Sequence, residues 1–273
     1  MGRPWWACRL GFNVATGTPE DMGVTANSPS TRPTLTIIVP AFNEEANLAL
    51  CVRTLHTTFA GSSYEVVIVD DGSCDHTLAV ARRLAAESAE CVRVLGHDRN
   101  QGFGAALRTG FGEANGRYVT CCPADFEMTP ADWEPFASAV GQADVVVGCR
   151  VSREGYNSLM RFNSWLYLKI VRALFGLQLR DVNWISVYRL DLARGVTITQ
   201  SGVPMLVEIL VKLRDLGATF REVDCRMQPR RIGKPSASRF SVMCRTFTGL
   251  VRLWCFGHFP ARRRHGPPHV GAR

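Results

Sequence analysis

Two carboxylates stand directly at the end of an apolar run in this 273-residue sequence. Asp70 and Asp71 follow Val66–Val69, and Gly72 and Ser73 come next. Such an aliphatic run is typical of a strand that is buried on both faces of a parallel sheet. Open sheets of this kind bind ligands outside the carboxyl ends of their strands. The two aspartates are therefore candidates for ligand binding, although an ordinary strand–turn–helix junction would show the same pattern.

A second acidic pair follows another apolar run, Tyr118–Cys122, which we predict to be a strand. Asp125 and Glu127 are two residues apart, so in an extended segment both side chains point to one side. Two oxygen donors in this arrangement suit Mg²⁺ or Mn²⁺, with ligand phosphates and water completing the coordination. A solvated acidic turn is the alternative interpretation.

Alternating strands and helices are predicted to position these carboxylates. Strands are predicted at 35–39, 66–69, 92–95, 118–122 and 144–150, and helices between the first three of them. We expect Pro40 to end the first strand because proline cannot donate to a ladder. We also expect Ser73 or Asp75 to cap the helix after the second strand. The predicted fold class is α/β, with a mostly parallel sheet flanked by helices, and right-handed crossovers bring the strand ends to one edge.

The glycines of Asn100–Ala106 open a further predicted helix. They resemble a dinucleotide-binding fingerprint, but Leu107 occupies the third glycine position and the segment follows a third strand, so a Rossmann oxidoreductase is disfavoured. Gly102 and Gly104 suit a close approach of backbone N–H groups to a phosphate. Tight packing of the helix on the sheet explains them equally well.

The composition restricts the class of partner and the redox state. A net charge of +8 favours an anionic partner: nucleic acid, an acidic membrane surface or a phosphorylated ligand. No nucleic acid is expected, because the basic residues are not interleaved with a known reading module. The ten cysteines form no CxxC pair and no zinc spacing, which indicates reduced cysteines in a cytosolic protein.

Three regions are predicted along the chain: a disordered leader at 1–33, a folded domain at 34–240 and a basic amphipathic C-terminal tail at 241–273. No stretch reaches the roughly 20 apolar residues that a membrane span needs. Segments 159–176 and 240–259 combine aromatic and basic residues, as interfacial helices do. The first could instead pack on its own sheet, whereas the second precedes Arg262–Arg264 and is the better candidate for peripheral membrane contact.

With these elements in order, the chain resembles the family 2 glycosyltransferases over roughly residues 35–239, in particular the dolichol- or polyprenyl-phosphate mannose synthase branch. Five motifs in series carry the resemblance: Ile38–Glu44, Val69–Thr77, Asn100–Ala106, Ala124–Asp125 and Gly148–Arg150. The resemblance implies an A-type glycosyltransferase fold, with the catalytic domain at 34–240, that binds a sugar nucleotide and a divalent metal.

The resemblance also implies roles for individual residues. The nucleotide-sugar contacts would come from Pro40, Phe42, Glu44, Asp70, Asp71, Gly102 and Asp125. The metal ligands would be Asp125 and Glu127, because Pro123 replaces the first aspartate of the family's Asp-x-Asp-x-Gln element and Glu127 replaces its glutamine. We expect a retained Mg²⁺ or Mn²⁺ site, since Glu127 restores the carboxylate count.

Besides Asp125, the resemblance implies basic catalytic groups, which match basic positions of the family: Arg150, Arg161, Arg231 and Lys234. Arginine forks suit phosphate oxygens, and an acceptor phosphate needs charge compensation and positioning more than a general base. Each arginine could instead be a solvated surface charge. Asp181 matches the family, Trp184 replaces a small residue of its next motif, and Glu208 is a weaker functional candidate.

The resemblance implies an inverting, metal-assisted transferase that moves a hexose of mannose or glucose type from a nucleotide sugar to a polyprenyl or dolichyl phosphate. We expect it at the cytoplasmic face of the membrane as a peripheral protein, with a membrane partner subunit as one option. The alternatives are transfer to a soluble or polysaccharide acceptor, and a non-catalytic sugar-nucleotide-binding protein.

Overall fold

The part of the chain that the structure describes contains seven strands and eight helices, which alternate except that α7 follows α6 directly. The computed structural model describes residues 32–125, 128–151, 156, 158–226 and 240–256, without the side chains of 240–245. The elements are β1 (Leu35–Ala41), α1 (Leu48–Phe59), β2 (Tyr64–Asp70), α2 (Thr77–Glu87), β3 (Val92–Gly96), α3 (Phe103–Glu113), β4 (Tyr118–Cys121), α4 (Pro130–Ala139), β5 (Val145–Arg150), α5 (Ser158–Phe175), β6 (Ser186–Arg189), α6 (Leu190–Arg194), α7 (Val203–Asp215), β7 (Phe220–Cys225) and α8 (Phe240–Phe256).

The strands form one sheet in the order β3-β2-β1-β4-β6-β5-β7. β6 runs antiparallel to both of its neighbours, and the other pairs are parallel. The carboxyl ends of β1, β2, β4 and β5 therefore meet at one edge of the sheet, where β6 begins. The predicted fold class, α/β with a mostly parallel sheet, is confirmed.

Helices cover both faces of the sheet, which explains why its central strands β1 and β2 are mostly apolar and buried. Alternate residues of β1 and β2 enter two different clusters: Ile38 and Val67 lie in one, Ile37 and Val66 in the other. The first cluster is completed by α3, α5, α6, α7 and α8, and the second by α1, α2 and α4. The central strands are consequently the most deeply buried part of the molecule.

Proline does not end the first strand, contrary to our expectation. β1 continues to Ala41, and Pro40 pairs in register with Val69 of β2. The Pro40 carbonyl accepts the Ala124 N–H at 3.4 Å, on the side of β4, where the ladder between β1 and β4 has already ended. Because the missing N–H faces that open side, proline costs the sheet no hydrogen bond.

The terminal regions of the sequence are only partly described. Of the predicted leader, Arg32 and Pro33 are described, and Arg32 donates to backbone carbonyls of Asn115 and Gly116. The predicted tail begins within α8, whose Leu250 and Leu253 are fully buried in the core. Among the described residues, no helix is both long enough and apolar enough to cross a membrane.

Candidate functional site

Asp70 ends β2 at the carboxyl edge of the sheet and is only 1 % exposed. Its Oδ2 accepts the Ser73 N–H at 3.3 Å, whereas its Oδ1 is buried without a hydrogen-bond partner in the described part of the chain. Buried carboxylate oxygens are normally paired, because an unpaired one loses its hydration without compensation. Asp70 therefore offers an unused acceptor at the predicted ligand edge.

The loop after β1 is tied to the loop after β2 by reciprocal hydrogen bonds. The Asn43 N–H donates to Ser73 Oγ at 3.0 Å, and the Cys74 N–H donates to Asn43 Oδ1 at 2.9 Å. Asn43 has a left-handed φ of 56°, a conformation that asparagine adopts more readily than most residues. The Glu44 N–H donates to Thr77 Oγ1 at 2.8 Å. The two motifs of the resemblance thus form one interlocked structure.

Asp75 joins these two loops to the start of α2. Its carboxylate accepts the Thr77 N–H at 2.9 Å and the Glu45 N–H at 3.3 Å, as the predicted capping role of Asp75 requires. Burial raises the pKa of Asp75, but hydrogen bonds from the Thr77 hydroxyl, the Thr77 N–H and the Glu45 N–H outweigh it and lower the pKa below its ordinary value. Ser73, the other predicted cap, instead accepts from Asn43.

Asp71 binds the protein's own backbone on both of its oxygens. Oδ1 accepts the Gln101 N–H at 2.9 Å and lies 2.7 Å from His97 Nδ1, and Oδ2 accepts the Gly102 N–H at 2.7 Å. Gly102, with a φ of 90°, precedes α3 at this point. Asp71 and Gly102, both predicted to bind the nucleotide sugar, are therefore in contact with each other.

Asp125 follows β4 in a turn, and the extended geometry that we expected for Asp125 and Glu127 is wrong at Asp125. The hydrogen bond from Ala124 to Pro40 keeps this turn beside the end of β1. Glu127 lies outside the described residues. Within the described part of the chain, no three His, Cys, Asp or Glu side chains cluster as a protein-only metal site. Since Mg²⁺ needs only one or two carboxylates when ligand phosphates complete its shell, Asp125 fits such a site.

Arg150 ends β5 at the same edge and forms a buried ion pair. Its Nε and Nη2 donate to the two carboxylate oxygens of Asp181 at 2.8 and 3.0 Å, and the side chains are 6 % and 5 % exposed. The guanidinium lies over the Trp184 ring, 5.1 Å from its centroid. Burial lowers the pKa of Arg150, but the hydrogen bonds and charge of Asp181 outweigh it and raise the pKa above its ordinary value. At 6 % exposure, the Arg150 side chain could contact an acceptor phosphate, its predicted role, only if the residues around it moved.

Tyr156 connects Arg150 to Arg161. Arg150 Nη1 donates to the Tyr156 hydroxyl at 3.2 Å, and Arg161 Nε donates to the Tyr156 carbonyl at 3.3 Å. Arg161 is exposed in the first turn of α5. The structure therefore brings two of the predicted catalytic arginines to one place.

Arg231 and Lys234 lie outside the described residues. The segment that contains them follows β7, whose last residue, Cys225, pairs with Arg150. The chain thus leaves β7 at the edge of the sheet that also carries Asp70 and Arg150.

Glu208 is fully buried in α7 and holds a neighbouring loop. Its carboxylate accepts the N–H groups of Thr199 and Gln200 and pairs with Lys212 Nζ at 2.7 Å. All of these contacts are within the protein, so Glu208 acts here as an anchor for the segment before α7.

A family model describes most of the chain that forms this edge. The model of glycosyl transferase family 2 matches residues 36–192, from β1 to α6. The chain belongs to glycosyl transferase family 2. The family predicted from the five motifs is thereby confirmed.

Curated relatives of this family 2 chain include transferases of the predicted branch. A dodecaprenyl-phosphate galacturonate synthase of Rhizobium johnstonii is 28 % identical over 177 residues, which cover 63 % of this chain and 52 % of that protein. A dolichol-phosphate mannosyltransferase of Pyrococcus furiosus is 27 % identical over 186 residues, covering 65 % and 52 %. The chain spans about half the length of these relatives.

Solved structures identify the fold as the A-type glycosyltransferase fold. Glucosyl-3-phosphoglycerate synthase of Mycobacterium tuberculosis, solved with Mn²⁺, UDP and glucosyl-3-phosphoglycerate, superposes with a TM-score of 0.63 at 18 % identity. The match covers 84 % of this chain and 81 % of that chain. At this identity the similarity establishes the fold alone.

Two residues of the site were missed by sequence reasoning. His97 follows β3 directly, so its position at the end of a strand was a signal that went unused. Asn43 lies within a quoted motif, but its left-handed conformation and its contacts to Ser73 and Cys74 have no signature in a single sequence. Beside these residues Phe42 is 41 % exposed and so is accessible to a ligand, whereas Pro40, the other predicted contact, is buried.

Proposed function

We propose that this family 2 chain transfers a hexose, of mannose or glucose type, from a nucleotide sugar to a polyprenyl phosphate. The unpaired Oδ1 of Asp70 carries the proposal, because it is a buried anionic acceptor at the carboxyl edge of the sheet. The N–H groups of a nucleobase are donors that would satisfy it. Phe42, exposed after β1, supplies an aromatic surface near the same edge.

The diphosphate of the donor belongs beside Asp125 in this proposal. The Asp125 turn is held next to the end of β1, so a nucleoside at Asp70 and a diphosphate at Asp125 would lie along one edge of the sheet. A Mg²⁺ or Mn²⁺ ion, bound by Asp125 together with Glu127, would neutralise charge on the leaving diphosphate. The metal role of Glu127 remains a prediction from the sequence.

In the proposed reaction, an oxygen of the acceptor phosphate forms a bond to the anomeric carbon as the bond from that carbon to the nucleoside diphosphate breaks. The attacking oxygen is already anionic, so no side chain has to remove a proton. A single displacement of this kind inverts the anomeric centre. Arg161, together with Arg231 and Lys234, would position the acceptor phosphate and offset its charge.

Helices α5 and α8 supply the proposed contact with a membrane. Each buries one face in the core and exposes apolar side chains on another. The exposed side chains are Leu159, Phe162 and Trp165 on α5, and Val251, Trp254 and Phe256 on α8. Lys169 lies over the Trp165 ring at 5.8 Å, which places a cation beside this aromatic surface. Exposed aromatic and basic side chains on one helix suit the interface of an anionic bilayer, so we propose peripheral attachment at its cytoplasmic face.

The proposal is tested by incubating the protein with radiolabelled UDP- and GDP-hexoses, Mn²⁺ and polyprenyl phosphate in detergent micelles, and extracting the lipid. We expect label in the lipid fraction, released by mild acid as the free sugar. Label on a soluble phosphorylated or sugar acceptor, with none in the lipid, would contradict the acceptor assignment. Binding of a nucleotide sugar without any transfer would leave only a binding function.

Asp125→Ala tests the metal side of the site in the same assay. We expect transfer to fall by about a hundredfold or more, as for removal of a group that stabilises charge in the transition state. Asp224→Asn is the matched control, because Asp224 is 60 % exposed in a surface pair with Arg180. Full activity of Asp125→Ala would overturn the assignment.

A further inference from the structure

We propose that His97 is a positioning residue of the donor site, acting through Asp71 on the Asn100–Gly102 loop. The inference rests on the proposed nucleotide-sugar site, because it assigns a function to the loop that borders Asp70.

Asp71 is the centre of the arrangement. The residue is 3 % exposed, and the three contacts of its carboxylate come from the His97 ring and from the Gln101 and Gly102 N–H groups. A carboxylate that accepts several N–H groups fixes the backbone that supplies them. The conformation of the loop before α3 therefore depends on where the Asp71 side chain is held.

The His97 ring contacts Asp71 Oδ1, the same oxygen that accepts the Gln101 N–H. Since a carboxylate only accepts, His97 Nδ1 carries a proton and donates to Asp71. His97 Nε2 lies 2.9 Å from Thr109 Oγ1 on α3, and the His97 N–H donates to the Asp70 carbonyl at 2.9 Å. The ring is 9 % exposed, so water cannot easily replace either contact. The ring thus joins the end of β2 to α3.

The loop held in this way touches the Asp70 turn directly. A side chain at Gly72 would meet Arg99 Cα at 2.6 Å and the Asn100 nitrogen at 2.7 Å, so the two backbones pack without side chains between them. Gly72 also has a φ of 68°, which disfavours other residues. Because Gly72 is two residues from Asp70, a shift of the Asn100–Gly102 loop moves the wall of the donor site.

Two substitutions of His97 distinguish its positioning of the loop from a general effect on the stability of the protein. The amide of His97→Asn can occupy the place of Nδ1 and still donate to Asp71, whereas the amide of His97→Gln reaches the place of Nε2 and leaves Asp71 without this donor. His56→Gln is the matched control: His56 is a half-buried histidine 2.6 Å from the Tyr64 hydroxyl, at the opposite end of β2.

The first readout is calorimetric titration with UDP and with GDP in the presence of Mn²⁺. For the nucleotide that binds the wild type more tightly, we expect His97→Gln to weaken binding about tenfold and His97→Asn to stay within about threefold, because a hydrogen bond to a charged group is at stake. In the transfer assay KM for the donor should rise while kcat stays nearly unchanged, since in the proposed site the loop borders the nucleotide and not the reacting carbon. Equal affinity of His97→Gln and His56→Gln would overturn the proposal.

The second readout does not depend on a nucleotide. In the free protein, amide hydrogen exchange at Gln101 and Gly102 should be about tenfold faster in His97→Gln than in His97→Asn, with the same melting temperature. An unchanged rate of amide exchange at Gln101 and Gly102 in His97→Gln would refute the proposal that His97 holds this loop. If the wild type bound neither nucleotide, the proposed function would fail, and the exchange rates would still decide whether His97 holds the loop.

Discussion

At the scale of single residues, the charged side chains near the predicted ligand edge differ in whether the protein itself supplies their hydrogen-bond partners. Arg150 and Asp181 satisfy each other, whereas Asp70 keeps one oxygen for a partner that the described chain does not supply. A buried ion pair adds little to stability in itself, but removing one member leaves an uncompensated charge. The Arg150–Asp181 pair therefore fixes the end of β5 against the segment before β6.

Asp181→Asn should lower the free energy of unfolding by about 3 kcal/mol, because it leaves the Arg150 guanidinium buried with a neutral partner. Asp224→Asn, which affects an exposed pair, should change it by less than about 1 kcal/mol. Urea denaturation followed by circular dichroism measures both. Equal effects of the two substitutions would show that the Arg150–Asp181 pair is not the buried contact described here.

Glu65 makes stability depend on pH at the opposite edge of the sheet. Burial raises the pKa of Glu65, but hydrogen bonds from Thr36, the Asn115 N–H and Arg93 outweigh it and lower the pKa below the ordinary 4.5. A group with a depressed folded pKa stabilises the protein above its unfolded pKa, and this contribution is lost as the pH falls through the folded value.

We expect the free energy of unfolding of the wild type to decline below about pH 4.5, the ordinary value for this carboxyl. Glu65→Gln should be less stable at pH 7 and should show a shallower decline in acid. Glu87→Gln, at a side chain that is 60 % exposed, should follow the wild-type curve. Parallel acid curves for Glu65→Gln and the wild type would contradict the assignment. Urea titrations between pH 3 and pH 7 measure the difference.

At the scale of elements, the sequence predicts those strands whose local pattern of apolar residues is distinctive. The apolar runs identified β1 to β5 because both faces of these strands are covered, and strand-end carboxylates then marked the ligand edge. β6 and β7 were not predicted. Ser186–Arg189 is a short strand whose antiparallel position between β4 and β5 depends on pairing with distant residues. Phe220–Cys225 alternates polar and apolar residues at the edge of the sheet.

The candidate site was also predictable only in part. The strand ends brought Asp70, Asp71 and Asp125 to one edge, because that follows from parallel topology. The hydrogen bonds of Asp71 to Gln101 and Gly102 were not predictable, since they depend on side-chain directions in loops. The turn at Asp125 likewise replaced the extended geometry that alternation alone suggested.

Helix α8 packs one face in the core and exposes another face, which is proposed to contact a membrane. Leu250 and Leu253 are buried in the core, and Gly249 lets the helix approach Pro204, where a side chain would meet Cγ at 2.6 Å. Cutting the chain before Phe240 would therefore expose core surface. A test of membrane contact has to leave that face intact.

Trp254→Ser, at a side chain that is 56 % exposed, should reduce binding to vesicles of phosphatidylcholine and phosphatidylglycerol about tenfold, because an aromatic side chain no longer enters the interface. Leu216→Ser is the matched control, since Leu216 is 51 % exposed after α7. Sedimentation with the vesicles measures binding, and thermal melting confirms the fold. Equal vesicle binding by Trp254→Ser and the wild type would remove α8 as a contact surface.

At the scale of the whole molecule, one sheet edge collects the features that the proposed reaction needs. The interlocked loops after β1 and β2 form one part of this edge, and the Arg150–Asp181 pair with Arg161 forms another. A net charge of +8 suits two phosphorylated substrates and an anionic bilayer. The proposed sequence of events starts with the nucleotide at Asp70, so every later step depends on that site.

The donor site is tested most directly by titrating the wild type and Asp70→Asn with UDP and GDP in the presence of Mn²⁺. We expect one of the nucleotides to bind the wild type, and Asp70→Asn to bind it at least about tenfold more weakly, because in the proposed site the buried carboxylate accepts a hydrogen bond from the base. Asp191→Asn, at an exposed carboxylate at the other end of the sheet, should bind as the wild type does. Equal nucleotide affinity of Asp70→Asn and the wild type, or no binding by the wild type, would contradict a nucleotide-sugar site at the end of β2.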